Sequence, residues 1–67
     1  MMKVIPLLPI LFHEDIDQAF APLKKYNEQL LEDYMYMGHT VRGVYHYKHM
    51  DTREYLYIKG DGTLGRA

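Results

Sequence analysis

The sequence predicts a small α+β domain, and three observations support this fold class. The chain opens with an apolar stretch, continues with apolar residues at helical spacing, and closes with β-forming residues interrupted by a turn. With 67 residues there is room for one domain only, so residues 1–67 are interpreted as a single unit. Hydrophobic residues make up 48% and charged residues 25%, which indicates a globular rather than a disordered chain.

Residues 2–12 are apolar nearly throughout and predict an N-terminal extended segment or a short edge strand, since Pro6 and Pro9 cannot donate to a sheet. The Pro-x-x-Pro spacing also permits an extended docking segment, although the neighbouring leucines and isoleucine favour burial. A signal peptide is not expected, because the prolines interrupt the apolar run and three acids lie within positions 14–17. We therefore expect a cytoplasmic protein.

Residues 15–37 are predicted to form one kinked helix. Asp15 opens a capping box, and Gly38 is suited to end the helix. Pro22 lies too deep for a first turn, so it either kinks the helix or restarts it, and we favour a main helix from Pro22 to Met37. The apolar stripe at steps of 3, 4 and 7 consists of Ile16, Phe20, Leu23, Leu30, Tyr34 and Met37.

The C-terminal part of the chain predicts an antiparallel β-hairpin. Residues 41–48 and 53–59 are rich in valine, tyrosine and other β-formers, and a plausible turn separates them. Residues 60–67 contain three glycines and the tight-turn pair Asp61-Gly62. They are expected either to return as a short third strand or to form a loose tail.

The parity of the hairpin loop decides which side chains share a face of the sheet. With an even loop, which we favour because it gathers the charges on one side, Tyr47 lies opposite Glu54 and Tyr45 opposite Leu56. The face carrying Tyr45 then packs against the helix, and the other face is basic and aromatic. An odd loop would instead form a ladder of Tyr45, Tyr47, Tyr55 and Tyr57.

Catalysis and a cofactor are not expected. Cysteine and serine are both absent, which excludes disulfides, cysteine-based zinc sites and a serine triad. His39, His46 and His49 lie close together but lack a metal-ligand spacing, and His13 is distant in sequence, so no metal site is predicted. A chain this short rarely encloses a substrate pocket. Nine consecutive apolar residues are also too few for a bilayer span of about 20, so neither a small-molecule substrate nor a membrane is the expected partner.

The remaining function classes are binding classes. Residues 1–38 carry three lysines and six acids, whereas residues 39–67 carry five basic residues and three acids. We expect a non-catalytic module that acts by protein–protein contact, as an accessory or inhibitor-type protein or a homo-oligomer. Acids at the end of a helix oppose its dipole, and four large residues in a row cannot all face a core. The predicted contact residues are Tyr34, Tyr36, Glu28, Glu32 and Asp33.

The alternative is nucleic-acid binding by the basic, tyrosine-rich face of the hairpin. Tyrosine rings stack on bases, while arginine and lysine hold phosphates. The residues that would do this are Arg42, Lys48, Arg53, Tyr55, Tyr57 and Lys59. Exposure of Tyr55 and Tyr57 beside Arg42 and Lys48 would favour this alternative, whereas burial of the hairpin tyrosines would count against it.

Overall fold

One helix lies across one face of a three-stranded antiparallel sheet in the computed structural model, which describes residues 11–66. The α+β prediction with a C-terminal hairpin is confirmed. The elements in chain order are α1 (Ile16–Asn27), a 3₁₀ helix (Glu28–Glu32), β1 (Tyr34–His39), β2 (Val44–His49) and β3 (Tyr55–Lys59). The sheet order is β1-β2-β3. The extended segment predicted over residues 2–12 lies mostly outside the described residues, and Leu11 at its end forms an antiparallel bridge with His39.

Helix α1 begins and ends at residues whose side chains bind the backbone. The Asp15 carboxylate accepts from the backbone N–H of Asp17 at 2.9 Å, which caps the first turn as predicted. The predicted restart at Pro22 is wrong, because α1 passes through this buried proline. Asn27 ends the predicted long helix: its backbone is extended, with φ −165° and ψ 102°, and its side chain caps the 3₁₀ helix that follows.

The residues predicted to finish the helix form strand β1 instead. The sequence Tyr34-Met35-Tyr36-Met37 alternates with the period of two that a half-buried strand requires, and its tyrosines are good β-formers. Tyr34 and Tyr36 point towards the core, where they pack against the buried cluster. The helical stripe that included Tyr34 and Met37 was therefore a coincidence of spacing.

Gly38 lies at a β-bulge rather than at the end of a helix. Tyr36 pairs with Tyr47, but His39 pairs with Tyr45, so β1 contains one residue more than β2 across this stretch. Gly38 has φ +105°, a backbone conformation that strongly favours glycine. The bulge turns the His39 side chain onto the Tyr45 ring.

The hairpin of β2 and β3 has the predicted faces but a different pairing. Tyr47 pairs with Leu56 and Tyr45 with Ile58, so the predicted pairings of Tyr47 with Glu54 and Tyr45 with Leu56 are wrong by two residues. A shift of two keeps every side chain on its face. The turn lies one residue later than predicted, since the backbone N–H of His49 donates to the Glu54 carbonyl at 2.8 Å, and the His49 ring accepts hydrogen bonds from two N–H groups of this turn.

The core lies between α1 and the inner face of the sheet. Leu23, Tyr47 and Ile58 are fully buried, and the Tyr47 hydroxyl donates to the Ala19 carbonyl at 2.8 Å. After β3 the chain turns at Gly62 and returns to form a bridge between Ile58 and Leu64. Residues 60–66 therefore return to β3, as expected from the first predicted alternative, a short third strand, and not from a loose tail.

Candidate ligand-binding face of the sheet

The sheet has one covered and one uncovered side. Phe20 and Leu23 of α1 pack on the side that carries Tyr47 and Ile58, and the leucines of the 3₁₀ helix pack there too. Neither helical segment among residues 11–66 covers the opposite side. We call this opposite side the outer face, and by strand alternation it consists of Met35, Met37, Val44, His46, Lys48, Tyr55, Tyr57 and Lys59.

Two tyrosine rings form the centre of the outer face. Tyr55 and Tyr57 lie two residues apart on β3, so their side chains leave the strand on the same side. Their ring centroids are 6.1 Å apart and their planes differ by only 16°. Tyr55 is 44% exposed and Tyr57 is half-buried. The pair presents two nearly parallel aromatic groups at the surface.

A lysine lies beside this tyrosine pair. Lys48 pairs with Tyr55 across the two strands, and its Nζ is 5.7 Å from the centroid of the Tyr55 ring. This distance is within the range of a cation–π contact. On the other side of Lys48, Met35 of β1 completes a cross-strand row and is 38% exposed. A positive charge and apolar surface therefore adjoin the tyrosines.

His46 supports the two rings from the middle strand. It is only 4% exposed and meets Tyr57 edge-on, with centroids 4.7 Å apart and planes at 78°. Its Nε2 is buried and has no hydrogen-bond partner among residues 11–66. Burial lowers the pKa of His46 below its ordinary value, so the imidazole is neutral at neutral pH. The neutral His46 ring therefore packs beneath the two tyrosines and supports them.

The charges of the protein are divided between its two sides. The strand residues of the outer face include Lys48 and Lys59 and no carboxylate, and the acids that follow and precede the strands, Asp51, Glu54 and Asp61, lie in exposed loops. Residues 11–33, which include both helical segments, carry six acids and two lysines. The sheet side is therefore the basic side of the described chain.

The structure separates the residues that were predicted to bind a protein partner. Tyr34 and Tyr36 pack on the core, because the strand directs them inward. Glu28, Glu32 and Asp33 are exposed in and just after the 3₁₀ helix. Partner contact through these five residues stays a prediction, with the tyrosines half-buried against the core and the acids exposed.

The residues predicted for nucleic-acid binding are brought together in part. Lys48, Tyr55, Tyr57 and Lys59 share the outer face. Arg42 lies in the turn between β1 and β2, and Arg53 in the loop between β2 and β3. These two exposed arginines are therefore at opposite ends of β2, each at a border of the face.

A second cluster of polar rings was not foreseen from the sequence. His13 Nε2 lies 2.7 Å from the Tyr45 hydroxyl, and the Tyr36 hydroxyl lies 2.6 Å from His39 Nδ1. The His13 and His39 rings stack with centroids 4.4 Å apart. His13 looked remote because it is far away in sequence, and no local pattern signals a contact that only the fold creates.

Three further findings bear on function. Across residues 11–66, no three histidine or acidic side chains are grouped so that they could hold a metal ion. No helix in the same range has both the length and the apolar character needed to cross a membrane. No protein-family model, no curated protein and no solved structure matches this chain.

Proposed function

We propose that the protein is a non-catalytic binding module and that its outer face binds single-stranded nucleic acid. The observation behind this proposal is the nearly parallel pair of Tyr55 and Tyr57 with the Lys48 ammonium beside it. Nucleic-acid bases stack on tyrosine rings regardless of sequence, while lysines neutralise the phosphates that join them. The lack of a carboxylate on these strand faces supports the same ligand, because an acid there would repel phosphate.

The size of the face sets the expected affinity. Two tyrosines offer stacking surface for about two bases, and each stacked base contributes about 1–3 kcal/mol. Neutralising about two phosphates with Lys48 and Lys59 gives a slope of about −1.4 in log K against log salt for a single strand. Binding is therefore expected to be modest in strength and sensitive to salt. A cytoplasmic location, which the sequence predicts, is part of this proposal and is where single-stranded RNA is plentiful.

The test is fluorescence anisotropy with a labelled ten-nucleotide oligothymidine at low salt. We expect the native protein to bind, and we expect Tyr55→Ala to weaken binding by about 5- to 150-fold, the equivalent of about 1–3 kcal/mol for one stacked base. Lys48→Gln should weaken binding less and should reduce the salt slope by about 0.7.

Tyr26→Ala is the matched control for Tyr55→Ala. Tyr26 has a similar exposure, 39% against 44%, but lies on α1 away from the outer face. It should leave the affinity unchanged. Failure of the native protein to bind either oligothymidine or a single-stranded RNA at low salt would contradict the proposal, as would an equal loss in the two alanine variants.

Protein–protein contact through the same face is the second candidate. Met35 and Tyr55 flank Lys48, and each exposes more than a third of its surface. Methionine and tyrosine are enriched in protein–protein interfaces. Light scattering at two salt concentrations separates the candidates. Association of the free protein that persists at high salt and is lost in Met35→Glu would support self-association, and a monomer would count against it.

A further inference from the structure

A short linker, residues 11–13, attaches the chain before α1 to the edge of the sheet. Leu11 and His39 exchange two backbone hydrogen bonds of 3.1 and 2.9 Å. The Phe12 ring meets Tyr36 edge-on at 5.7 Å, although Phe12 is 64% exposed. The backbone N–H of His13 donates to the Tyr36 hydroxyl at 3.2 Å. The attachment thus consists of one strand bridge and a few ring contacts.

The Tyr36 hydroxyl connects the linker to the His39 ring. The Tyr36 hydroxyl oxygen accepts from the His13 backbone, so the Tyr36 proton is free to be donated to His39 Nδ1 at 2.6 Å. Burial raises the pKa of Tyr36, so the hydroxyl keeps this proton at neutral pH. A protonated His39 would donate from Nδ1 to the Tyr36 oxygen, so the hydroxyl proton would have to turn away from His39 and would lose this acceptor.

Stacking of His13 on His39 adds a second penalty for protonation. With ring centroids 4.4 Å apart, two imidazolium rings would repel each other at close range. Burial lowers the pKa of His39, and the nearby His13 lowers it further. Both effects lower the pKa of His39, so His39 resists protonation while the linker is attached and takes up a proton more readily once the linker has detached.

Within residues 11–66, the side chains that form hydrogen bonds with the two imidazoles are tyrosines and not carboxylates. From β1 and β2 the facing titratable groups are the Tyr36 and Tyr45 hydroxyls. From α1, Gln18, Ala21 and Pro22 line a cavity of about 280 Å³ beside His13, and Gly60, in the turn after β3, borders it too. The nearest carboxylates in sequence are those of Glu14 and Asp15, and Asp15 is engaged in capping α1.

We propose that His13, Tyr36, His39 and Tyr45 form a proton-sensitive latch, which holds residues 11–13 on the edge of β1 at neutral pH and releases them in acid. Above an ordinary histidine pKa of about 6.5, the His39 ring is neutral in both states and the latch is closed. As the pH falls below this value, His39 becomes protonated in the detached state but stays neutral in the attached state. The closed state therefore loses stability progressively until the lowered pKa of His39 is reached.

Amide hydrogen exchange of the unmodified protein tests the latch directly. After correction for the intrinsic rate, exchange at the Leu11 and His39 amides, which form the bridge, should accelerate by about tenfold per pH unit below 6.5 for each proton taken up. Amides of the central strand, such as Tyr47, should keep their protection over the same range. Uniform acceleration at all sites would mean global unfolding, and constant protection at Leu11 would mean no latch; either result overturns the proposal.

A tryptophan reporter gives an independent readout. The chain contains no tryptophan, so Phe12→Trp places a single fluorophore on the linker at an exposed position. Its emission should shift between pH 7.5 and 5.5 while the far-ultraviolet circular dichroism stays constant. The shift should disappear when His39→Gln is added, and it should persist with His49→Gln, which alters a histidine at the opposite end of β2. A shift that survives His39→Gln contradicts the latch.

Discussion

The hydroxyl group of Tyr47 connects the sheet to α1 by a hydrogen bond, and Tyr47→Phe removes only that oxygen, so the variant should be less stable. The Tyr47 side chain is fully buried at the centre of the inner face, and its hydroxyl donates to the Ala19 carbonyl at 2.8 Å. The backbone N–H of Leu23 lies close enough to the hydroxyl to lower the pKa of Tyr47, although burial raises it overall. The hydroxyl therefore contacts two turns of α1 close to Pro22, where the helix lacks one backbone donor.

The expected cost follows from burial. Removing one partner of a buried hydrogen bond costs about 1–3 kcal/mol, because the remaining group is left without its partner and cannot reach water. The aromatic ring stays, so no large cavity forms and the lower half of that range applies. For a domain of this size, about 1–2 kcal/mol lowers the Tm by about 5–15 °C.

Urea unfolding followed by circular dichroism is the assay, with Tyr26→Phe as the control. Tyr26 is on α1 and partly exposed, and its hydroxyl has no hydrogen bond within the described chain, so its removal should change the free energy of unfolding by less than about 0.5 kcal/mol. If Tyr47→Phe is no more destabilising than Tyr26→Phe, the hydroxyl does not bind α1 and the placement of the helix on the sheet is wrong.

Two further predictions test the packing. Gly62 and Gly43 both have positive φ, +91° and +86°, but an added Cβ would lie 2.7 Å from Lys25 Cβ at Gly62 and within 4 Å of nothing at Gly43. In urea unfolding, Gly43→Ala should therefore lower the free energy of unfolding by about 1 kcal/mol through backbone strain, and Gly62→Ala should lower it by at least about 1 kcal/mol more. Equal losses in the two variants would contradict the packing of the turn at Gly62 against Lys25 of α1. His46→Phe removes a buried nitrogen that has no partner in the described part of the chain, and it should raise the free energy of unfolding by about 1 kcal/mol at pH 7. The pKa of His46 is lowered in the folded state, so the native protein should lose stability as the pH falls below about 6.5, and the variant should lose less; an identical pH dependence would show that His46 titrates normally.

The parts of the fold that the sequence predicts correctly depend on short-range patterns. The Asp15 cap follows from one residue at the start of an apolar stripe. The two faces of the hairpin follow from strict alternation, which survives an error of two residues in the pairing. Strand alternation likewise places Lys48, Tyr55 and Tyr57 together, so most of the candidate site could be deduced before the structure.

The parts that the sequence does not predict depend on competition between patterns or on distant contacts. Tyr34 and Met37 fit a helical stripe as well as a strand, and the pairing of β1 with β2 decides between them. Asn27 gives a weak signal for the end of a helix, because asparagine is tolerated within helices at small cost. The stacking of His13 on His39 joins residues far apart in the chain, and no periodicity can reveal it.

Binding at the outer face is tested most directly by a titration followed through amide chemical shifts. Adding oligothymidine to the isotope-labelled protein at low salt should shift the amide signals of β3 and of Lys48 and leave those of α1 unchanged. Shifts confined to the acidic residues 28–33, or spectra that do not change at all, would contradict the account.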